Sequence, residues 1–217
     1  MTQDTWTAVD TYFAEKLFPD DPVQDVTLRA SEDARLAPIN VTAAQGKFLM
    51  LLARAMRARR VLEIGTLGGY STIWLARGLP ADGKIITMEI DPETAQVARA
   101  NIERAGFEGM VDVRIGRAVD SLRTLTDEAP DPFDLIFVDA DKPSNVDYVT
   151  WALRLSRPGT VIIIDNVVRN GAVTDPSSTD ASVHGVRNVM DLLEREPRLT
   201  VTALQTVGAK GYDGFAM

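Results

Sequence analysis

The chain has 217 residues, of which 45% are hydrophobic and 25% charged, proportions that are typical of a globular protein with a full core. Its net charge of −8 makes phosphate backbones unfavourable partners, so we expect no nucleic acid among its partners. The absence of cysteine and the single histidine, His184, exclude disulfides, cysteine nucleophiles and histidine-rich metal sites. Residues 1–10 lack a signal-peptide pattern and no apolar run reaches membrane-spanning length, so we expect a cytoplasmic protein without membrane contact.

The N-terminal part is expected to be helical. Apolar residues recur at helical spacing in residues 5–17 and again in residues 42–56. Thr42 is a candidate N-cap of the second helix, and Gln45, three residues later, completes the pattern of a capping box.

From Arg60 onwards, short apolar runs alternate with helical stretches. The predicted strands are residues 61–64, 85–89, 111–115, 135–139, 161–165 and 199–204, and residues 211–217 are expected to begin one more, whose short length indicates that a few terminal residues are missing. The predicted helices among them are residues 70–77, 92–105, 118–125, 144–155 and 183–195. This alternation is typical of a parallel sheet with helices on both faces. We therefore expect one α/β domain, residues 1–217, with a helical part (1–57) and a Rossmann-like core (58–217).

Four predicted strands have an acidic residue at, or one position before, their carboxyl end: Glu63, Glu89, Asp139 and Asp165. The carboxyl ends of parallel strands lie along one edge of the sheet, and ligands bind there. Carboxylates that share an edge repel one another and lose hydration unless cations neutralise them. Each acid alone fits a helix cap equally well, but the four together favour a site that holds positive charge, on a ligand, a metal or both.

The turn after the first strand, EIGTLGGYS at residues 63–71, is rich in glycine, which lets the backbone approach a ligand closely. It lacks the dinucleotide pattern G-x-G-x-x-G and has no Lys or Arg for a pyrophosphate. The carboxylate of Glu63 suits a sulfonium or an ammonium group, which favours S-adenosylmethionine over NAD. Glu89 lies where an acid would bind the ribose hydroxyls of any adenosine cofactor. A tight strand-to-helix turn without a ligand would have similar glycines.

The most specific pattern is VDADK at residues 138–142, followed after one helix and one strand by Asp165 and Asn166. If the two strands are neighbours, Asp139, Asp165 and Asn166 converge as three oxygen ligands. Such ligands select a hard cation, Mg²⁺ first and Mn²⁺ or Ca²⁺ as alternatives, and leave room for two adjacent hydroxyls of one ring. A strand-end Asp and an unrelated Asp-Asn turn are the structural alternative.

Together these motifs resemble those of the cation-dependent O-methyltransferases, the catechol and caffeoyl-CoA O-methyltransferases and their bacterial relatives among the class I S-adenosylmethionine-dependent methyltransferases. The matching segments are NVTAAQGKFL, VLEIGTLGGYSTIWLA, ITMEID, FVDADK and IIIDNV, from about residue 38 to the C-terminus. The resemblance implies a doubly wound, mostly parallel seven-stranded sheet of order 3-2-1-4-5-7-6 with additional N-terminal helices, and a homodimer.

The resemblance also implies roles for individual residues. Cofactor contacts are implied at Val41, Glu63, Gly65, Thr66, Ser71, Glu89, Ala118, Asp139 and Asp141. Metal ligation is implied for Asp139, Asp165 and Asn166, catalysis for Lys142 as general base together with Asp139, and a substrate contact for Asn170. Residues 1–37 match no motif, and we expect them to shape acceptor choice and dimer contacts.

The expected function is the metal-dependent transfer of a methyl group from S-adenosylmethionine to a hydroxyl of a small catechol-like phenol. A nearby cation would favour the neutral form of Lys142, which could then accept the hydroxyl proton; a salt bridge to Asp141 or a solvated lysine is the alternative. Three other functions are considered: an NAD-dependent oxidoreductase, a methyltransferase acting on another acceptor such as RNA or protein, and a non-catalytic cofactor-binding protein.

Overall fold

The computed structural model describes residues 2–18 and 20–217, and these residues form eight α-helices and one seven-stranded sheet. The helices are α1 (Gln3–Leu17), α2 (Pro22–Asp33), α3 (Ala43–Ala55), α4 (Tyr70–Gly78), α5 (Pro92–Arg104), α6 (Ala118–Asp127), α7 (Asn145–Arg154) and α8 (Ala181–Arg195). The strands are β1 (Arg60–Ile64), β2 (Lys84–Glu89), β3 (Val111–Ile115), β4 (Leu135–Val138), β5 (Val161–Asp165), β6 (Ala203–Gly208) and β7 (Gly211–Ala216). Short 3-10 helices span Lys142–Ser144 and Arg169–Thr174.

The strand order is β3-β2-β1-β4-β5-β7-β6, as predicted. Strands β1 to β5 are parallel, whereas β7 runs antiparallel to both β5 and β6. The order reverses between β1 and β4, and a ligand crevice is expected outside the carboxyl ends of the strands at such a point. The predicted fold class, a doubly wound Rossmann-like sheet, is confirmed.

Both faces of the sheet are buried at the central strands β1 and β4, which explains why these strands are continuous apolar runs in the sequence. Side chains alternate along β1: Leu62 and Ile64 pack in one core cluster, and Val61 packs in another on the opposite face with Trp74 of α4. Among the described residues, no helix combines the length and the apolar character that crossing a bilayer would require.

Helix α2 was not predicted, although it packs beside the glycine-rich turn. Its two buried side chains, Gln24 and Thr27, are polar, so no apolar repeat marks it in the sequence. Its start did carry a local signal: Asp21 accepts a hydrogen bond from the backbone N of Gln24, and Pro22 occupies the first turn.

The predicted strand at residues 199–204 was wrong in position, because β6 runs from Ala203 to Gly208. Leu199 instead closes a turn, in which its backbone N donates to the carbonyl oxygen of Glu196 at 3.1 Å. The register of β6 follows from the tight hairpin turn between Gly208 and Gly211, which pairs the two strands. The expected final strand is confirmed as β7.

Candidate active site

A cavity of about 1180 Å³ opens at the carboxyl edge of the sheet. This volume exceeds that of a typical single-ligand pocket and leaves room for a cofactor beside an acceptor. Most of the predicted site residues line it: Val41, Gly65, Thr66, Ser71, Glu89, Ala118, Asp139, Asp141, Lys142 and Asn166. Glu63, Asp165 and Asn170 are not part of its lining.

The glycine-rich turn passes directly below the backbone that follows β4. Gly65 has φ +105°, and a Cβ atom there would lie 2.1 Å from the carbonyl oxygen of Asp139. Leu67, two residues later, also has a positive φ of 49°. Position 65 requires both a positive φ and the absence of a Cβ atom, and only glycine provides both. The turn and the Asp139 segment are therefore positioned against each other.

Glu63 lies beneath the cavity and is fully buried. Its carboxylate accepts hydrogen bonds from the hydroxyls of Ser71 (2.6 Å), Thr87 (2.7 Å) and Thr72. Burial raises the pKa of Glu63 to about 7, with a further rise from Asp139, while the three hydroxyl groups oppose it. The side chain therefore ties the turn to β2, and its direct contact with a cofactor stays a prediction.

Glu89, at the end of β2, lines the cavity with a carboxylate held by backbone groups. One oxygen accepts from the backbone N of Leu67 at 2.9 Å and the other from that of Asp91 at 3.1 Å. The side chain is thus fixed at the cavity wall, and its oxygens retain lone pairs that can accept further hydrogen bonds.

Asp141 lies at the start of the 3-10 turn after β4. It accepts hydrogen bonds from the hydroxyls of Ser144, at 2.6 Å, and Tyr148. Burial acts to raise the pKa of Asp141, but these hydrogen bonds outweigh it and hold the pKa below its usual range. An ionised Asp141 suits a cationic ligand group such as an ammonium.

Asp139, Asp165 and Lys142 form a charged cluster at the ends of β4 and β5, in which Asp165 and Lys142 are buried and Asp139 is partly buried. The Lys142 ammonium, 7% exposed, donates to Asp139 Oδ1 at 3.0 Å. Burial raises the pKa of Asp165 to about 7, with a further rise from Asp139, while Lys142 and the side-chain amide of Gln45 oppose it. When both acids are ionised, the two carboxylates and the one ammonium group give this cluster a net charge of −1.

The contact of Gln45 with Asp165 corrects the predicted capping box. Thr42 does cap α3, because its hydroxyl oxygen accepts from the backbone N of Gln45 at 3.1 Å. The Gln45 amide, however, lies close enough to the buried carboxylate of Asp165 to lower the pKa of that acid.

Asn166 lines the cavity next to this cluster. It has a positive φ of 58°, and its backbone N donates to Asp165 Oδ1 at 2.9 Å. Within residues 2–18 and 20–217, no three side chains of His, Cys, Asp or Glu are grouped to hold a metal ion. The predicted ligands are two carboxylates and an amide, so metal binding stays a prediction.

One wall of the cavity was not predicted except at Val41. Residues 36–41 line it between α2 and α3, and the Lys210 ammonium donates to the carbonyl oxygens of Pro38, at 3.3 Å, and Asn40. Partial burial lowers the pKa of Lys210, which Asp139 opposes. The turn that carries Lys210 is held by Gln3, whose side chain donates to the carbonyl oxygen of Gly208 at 2.9 Å. No sequence motif marks Lys210, which lies in the hairpin turn between β6 and β7, so its contact with this wall could not be predicted.

Asn170, the predicted substrate contact, is exposed and does not line the cavity. Arg169, the residue before it, does line the cavity. Both have φ near +55°, which L-residues adopt at a cost. A substrate contact by Asn170 stays a prediction.

The comparisons with known proteins agree with this fold and site. A family model described as O-methyltransferase matches residues 20–211. The catechol O-methyltransferase of Mycobacterium tuberculosis is 51% identical over 209 residues, which cover 96% of this chain and 93% of that protein.

Solved structures are similar over nearly the whole chain. The Bacillus cereus O-methyltransferase, in complex with SAH, has a TM-score of 0.97 at 53% identity and covers 99% of this chain and 98% of its own. The Streptomyces achromogenes O-methyltransferase involved in tomaymycin synthesis, in complex with SAM, has a TM-score of 0.95 at 49% identity, covering 100% and 97%.

The fold is therefore that of the Rossmann-like methyltransferases. The chain belongs to the O-methyltransferase family, as the motifs predicted, and so to the S-adenosylmethionine-dependent O-methyltransferases. This membership rules out the alternative of an NAD-dependent oxidoreductase.

Proposed function

We propose that this protein transfers a methyl group from S-adenosylmethionine to one hydroxyl of a small vicinal dihydroxy phenol with the help of a divalent cation. The observation that carries the proposal is a pair of acids, the buried Asp165 and the partly buried Asp139, with Lys142 and Asn166 beside them at the edge of one large cavity. The name of the M. tuberculosis relative supports a catechol-like acceptor, and the ligands of the solved relatives support the cofactor.

The cofactor half of the site is assigned to the segments that follow β1, β2, β3 and β4. Glu89 binds the ribose hydroxyls, because its fixed carboxylate can accept two hydrogen bonds. The ionised Asp141 binds the amino group of the methionine end, and Ala118 lines the adenine pocket. The close backbone at Gly65 lets the cofactor lie against the turn.

The donor set fits a hard cation. Asp139, Asp165 and Asn166 supply oxygen atoms, which Mg²⁺, Mn²⁺ and Ca²⁺ prefer. When bound, S-adenosylmethionine supplies the electrophilic methyl group and the cation supplies Lewis acidity that favours ionisation of an acceptor hydroxyl. Residues Asp139, Asp165 and Asn166 would hold the cation.

Lys142 is assigned the proton-accepting role. Its Nζ atom is buried, is hydrogen-bonded to Asp139 and belongs to a residue that lines the cavity. A lysine shielded from water can take a proton from an acceptor hydroxyl when it is in the neutral form. The surrounding residues exclude water and orient the acceptor, which accounts for a large part of the expected rate.

The proposal is tested by measuring transfer of a labelled methyl group to catechol with Mg²⁺ and again with chelator. Asp165→Asn should lose metal-dependent transfer and keep the fold. Asp147→Asn, which changes an exposed acid of α7, is the matched control and should behave like the wild type. Equal rates with Mg²⁺ and with chelator would refute the metal requirement.

The other two candidate functions give different results in the same assay. A methyltransferase for another acceptor would bind S-adenosylmethionine but not methylate catechol. A non-catalytic protein would bind the cofactor and methylate no acceptor of a wider panel.

A homodimer is also part of the proposal. Helix α1 has no buried residue, and Val9, Tyr12, Phe13 and Leu17 expose between 46% and 57% of their surface. Leu204 and Val207 of the edge strand β6, which packs beside α1, are each 50% exposed, but they point to opposite faces of the strand, so only one of them extends the apolar surface of α1. Apolar side chains grouped on neighbouring elements are a surface that a second copy of the chain would cover.

Sedimentation of the wild type tests this assembly. Phe13→Lys should give a monomer, whereas Thr11→Lys, on the polar side of α1, should leave the dimer intact. A wild-type monomer at micromolar concentration would rule the assembly out.

A further inference from the structure

We infer that Arg169 is a receptor for a carboxylate on the acceptor, so that the preferred substrates are catechols that carry an acidic substituent. This inference rests on the proposed function, because it assigns a substrate class to the same cavity. It comes from a side chain whose hydrogen-bonding capacity the fold leaves unused.

Arg169 has two features that lower the stability of the fold, namely an unpaired buried donor and a strained backbone. Its Nε atom is buried without a hydrogen-bond partner, and within the described part of the chain its guanidinium forms no ion pair with an acidic side chain. A buried donor without a partner destabilises the folded protein, and such groups are rare in native structures. An anionic ligand would supply the missing acceptor.

The backbone of Arg169 is held in an unfavourable conformation by its neighbours. Its φ is 55°, and its backbone N donates to Asp213 Oδ1 at 3.0 Å. The same oxygen accepts from the backbone N of Val168 and of Gly214, each at 3.0 Å. Asp213 thus fixes the corner at which Arg169 reaches the cavity. Strained residues that the surrounding fold enforces are concentrated at functional sites.

The position of Arg169 points to the acceptor rather than to the adenosine part of the cofactor. It follows β5 and packs beside β7, whereas the residues assigned to the ribose and adenine, Glu89 and Ala118, lie on the β2 side of β1. Arg169 is three residues from Asn166, and both line the cavity. An acceptor whose hydroxyls lie at Asn166 therefore occupies the cavity that Arg169 also lines.

The chemistry of the guanidinium selects the class of substituent. Its planar set of N–H donors matches the two oxygens of a carboxylate, and charge-assisted hydrogen bonds of this kind are stronger than neutral ones. A free ammonium on the acceptor would be repelled. We therefore expect a catechol with a carboxylate to be preferred over an uncharged catechol, and an uncharged catechol over one with an amine.

The test uses protocatechuate, catechol and dopamine, which share the vicinal hydroxyls and differ in charge. The wild type should show a kcat/KM for protocatechuate at least about tenfold above that for dopamine, as expected for one charge-assisted contact. Arg169→Met should raise KM for protocatechuate about tenfold and change that for catechol by less than about twofold. Arg123→Met, an exposed arginine of α6 outside the cavity, is the control.

A binding measurement separates this inference from the proposed function. Calorimetry of protocatechuate with the enzyme saturated with SAH, in the absence of divalent metal, should show weaker binding for Arg169→Met and unchanged affinity for SAH. If no catechol is methylated but this Arg169-dependent binding persists, the proposed function fails and the carboxylate site stands.

Three outcomes overturn the inference. The wild type could have the same kcat/KM for the three acceptors. Arg169→Met could weaken SAH binding instead, or it could lower kcat/KM equally for all three acceptors. Because the wild-type preference needs no variant, the test does not depend on whether Arg169→Met folds.

Discussion

A Cβ atom at Gly65 would lie 2.1 Å from the carbonyl oxygen of Asp139, so the glycine-rich turn and the acidic cluster share one backbone contact. We predict that Gly65→Ala pushes the Asp139 segment aside and lowers kcat/KM about a hundredfold, because small misplacements of reacting groups are costly. Steady-state kinetics of methyl transfer would measure this.

Gly106→Ala is the matched control for that variant. Gly106 also has a positive φ, of 78°, but a Cβ atom there would meet nothing within 4 Å. It should lower the melting temperature through backbone strain and leave kcat/KM near the wild-type value. Equal losses of activity in both variants would mean that strain, and not the clash with Asp139, is responsible.

Lys142→Met should lower kcat by about a hundredfold or more, the usual contribution of a general base. The affinity for SAH, measured by calorimetry, should not change. Lys142→Arg should not restore the rate, because a guanidinium does not accept a proton at neutral pH. Lys84→Met, at the opposite edge of the sheet, should be fully active. A high kcat in Lys142→Arg would assign the residue a purely electrostatic role.

Glu89→Gln should weaken the binding of S-adenosylmethionine about tenfold, because a neutral amide replaces an ionised acceptor of hydrogen bonds. The exposed neighbour Glu93 provides the control, Glu93→Gln, which should bind normally. An unchanged dissociation constant for Glu89→Gln would contradict its contact with the ribose.

Lys210→Met should loosen the wall formed by residues 36–41, since it removes the donor to the carbonyl oxygens of Pro38 and Asn40. We expect KM for the acceptor to rise about fivefold, the loss of roughly one hydrogen bond, with little change in kcat. Lys210→Arg, which keeps a charged donor, should recover much of the affinity. A fall in kcat alone would be the contrary result.

Glu63 provides a test of pH dependence. Its pKa is raised from 4.5 in the unfolded chain to about 7 in the folded protein, so its contribution to stability is fully present below about pH 4.5 and is lost as the pH rises through 7. The difference between these two pKa values corresponds to a change of roughly 3 kcal/mol in the free energy of unfolding, as an upper limit. Urea unfolding at pH 5 and pH 8 should show a smaller loss of stability for Glu63→Gln than for the wild type. Part of the loss should remain, because Asp165 titrates in the same direction.

The parallel strands and the edge at which the acids lie could be predicted because apolar runs and strand-end residues are local features of the sequence. The direction of each acidic side chain could not. Glu63 lies one residue before the end of β1, beside Thr87 on β2, so its carboxylate turns inward to that hydroxyl. Glu89, at the very end of its strand, faces the cavity instead.

The acceptor side was less predictable, for a physical reason. Arg169 and Lys210 act from irregular backbone whose shape depends on long-range contacts, with Asp213 in one case and with residues 38–40 in the other. No spacing in the sequence records such contacts. The family motifs predicted a substrate contact one residue away, at Asn170.

The antiparallel strand β7 lies between β5 and β6 although it is the last strand in the sequence. During synthesis, β1 to β5 leave the ribosome first, and with them the groups assigned to the methyl donor. Asp213, which holds the corner at Arg169, and the turn that carries Lys210 emerge only afterwards. The proposed acceptor side is therefore completed by the last hairpin of the chain, which fixes backbone that earlier segments supply.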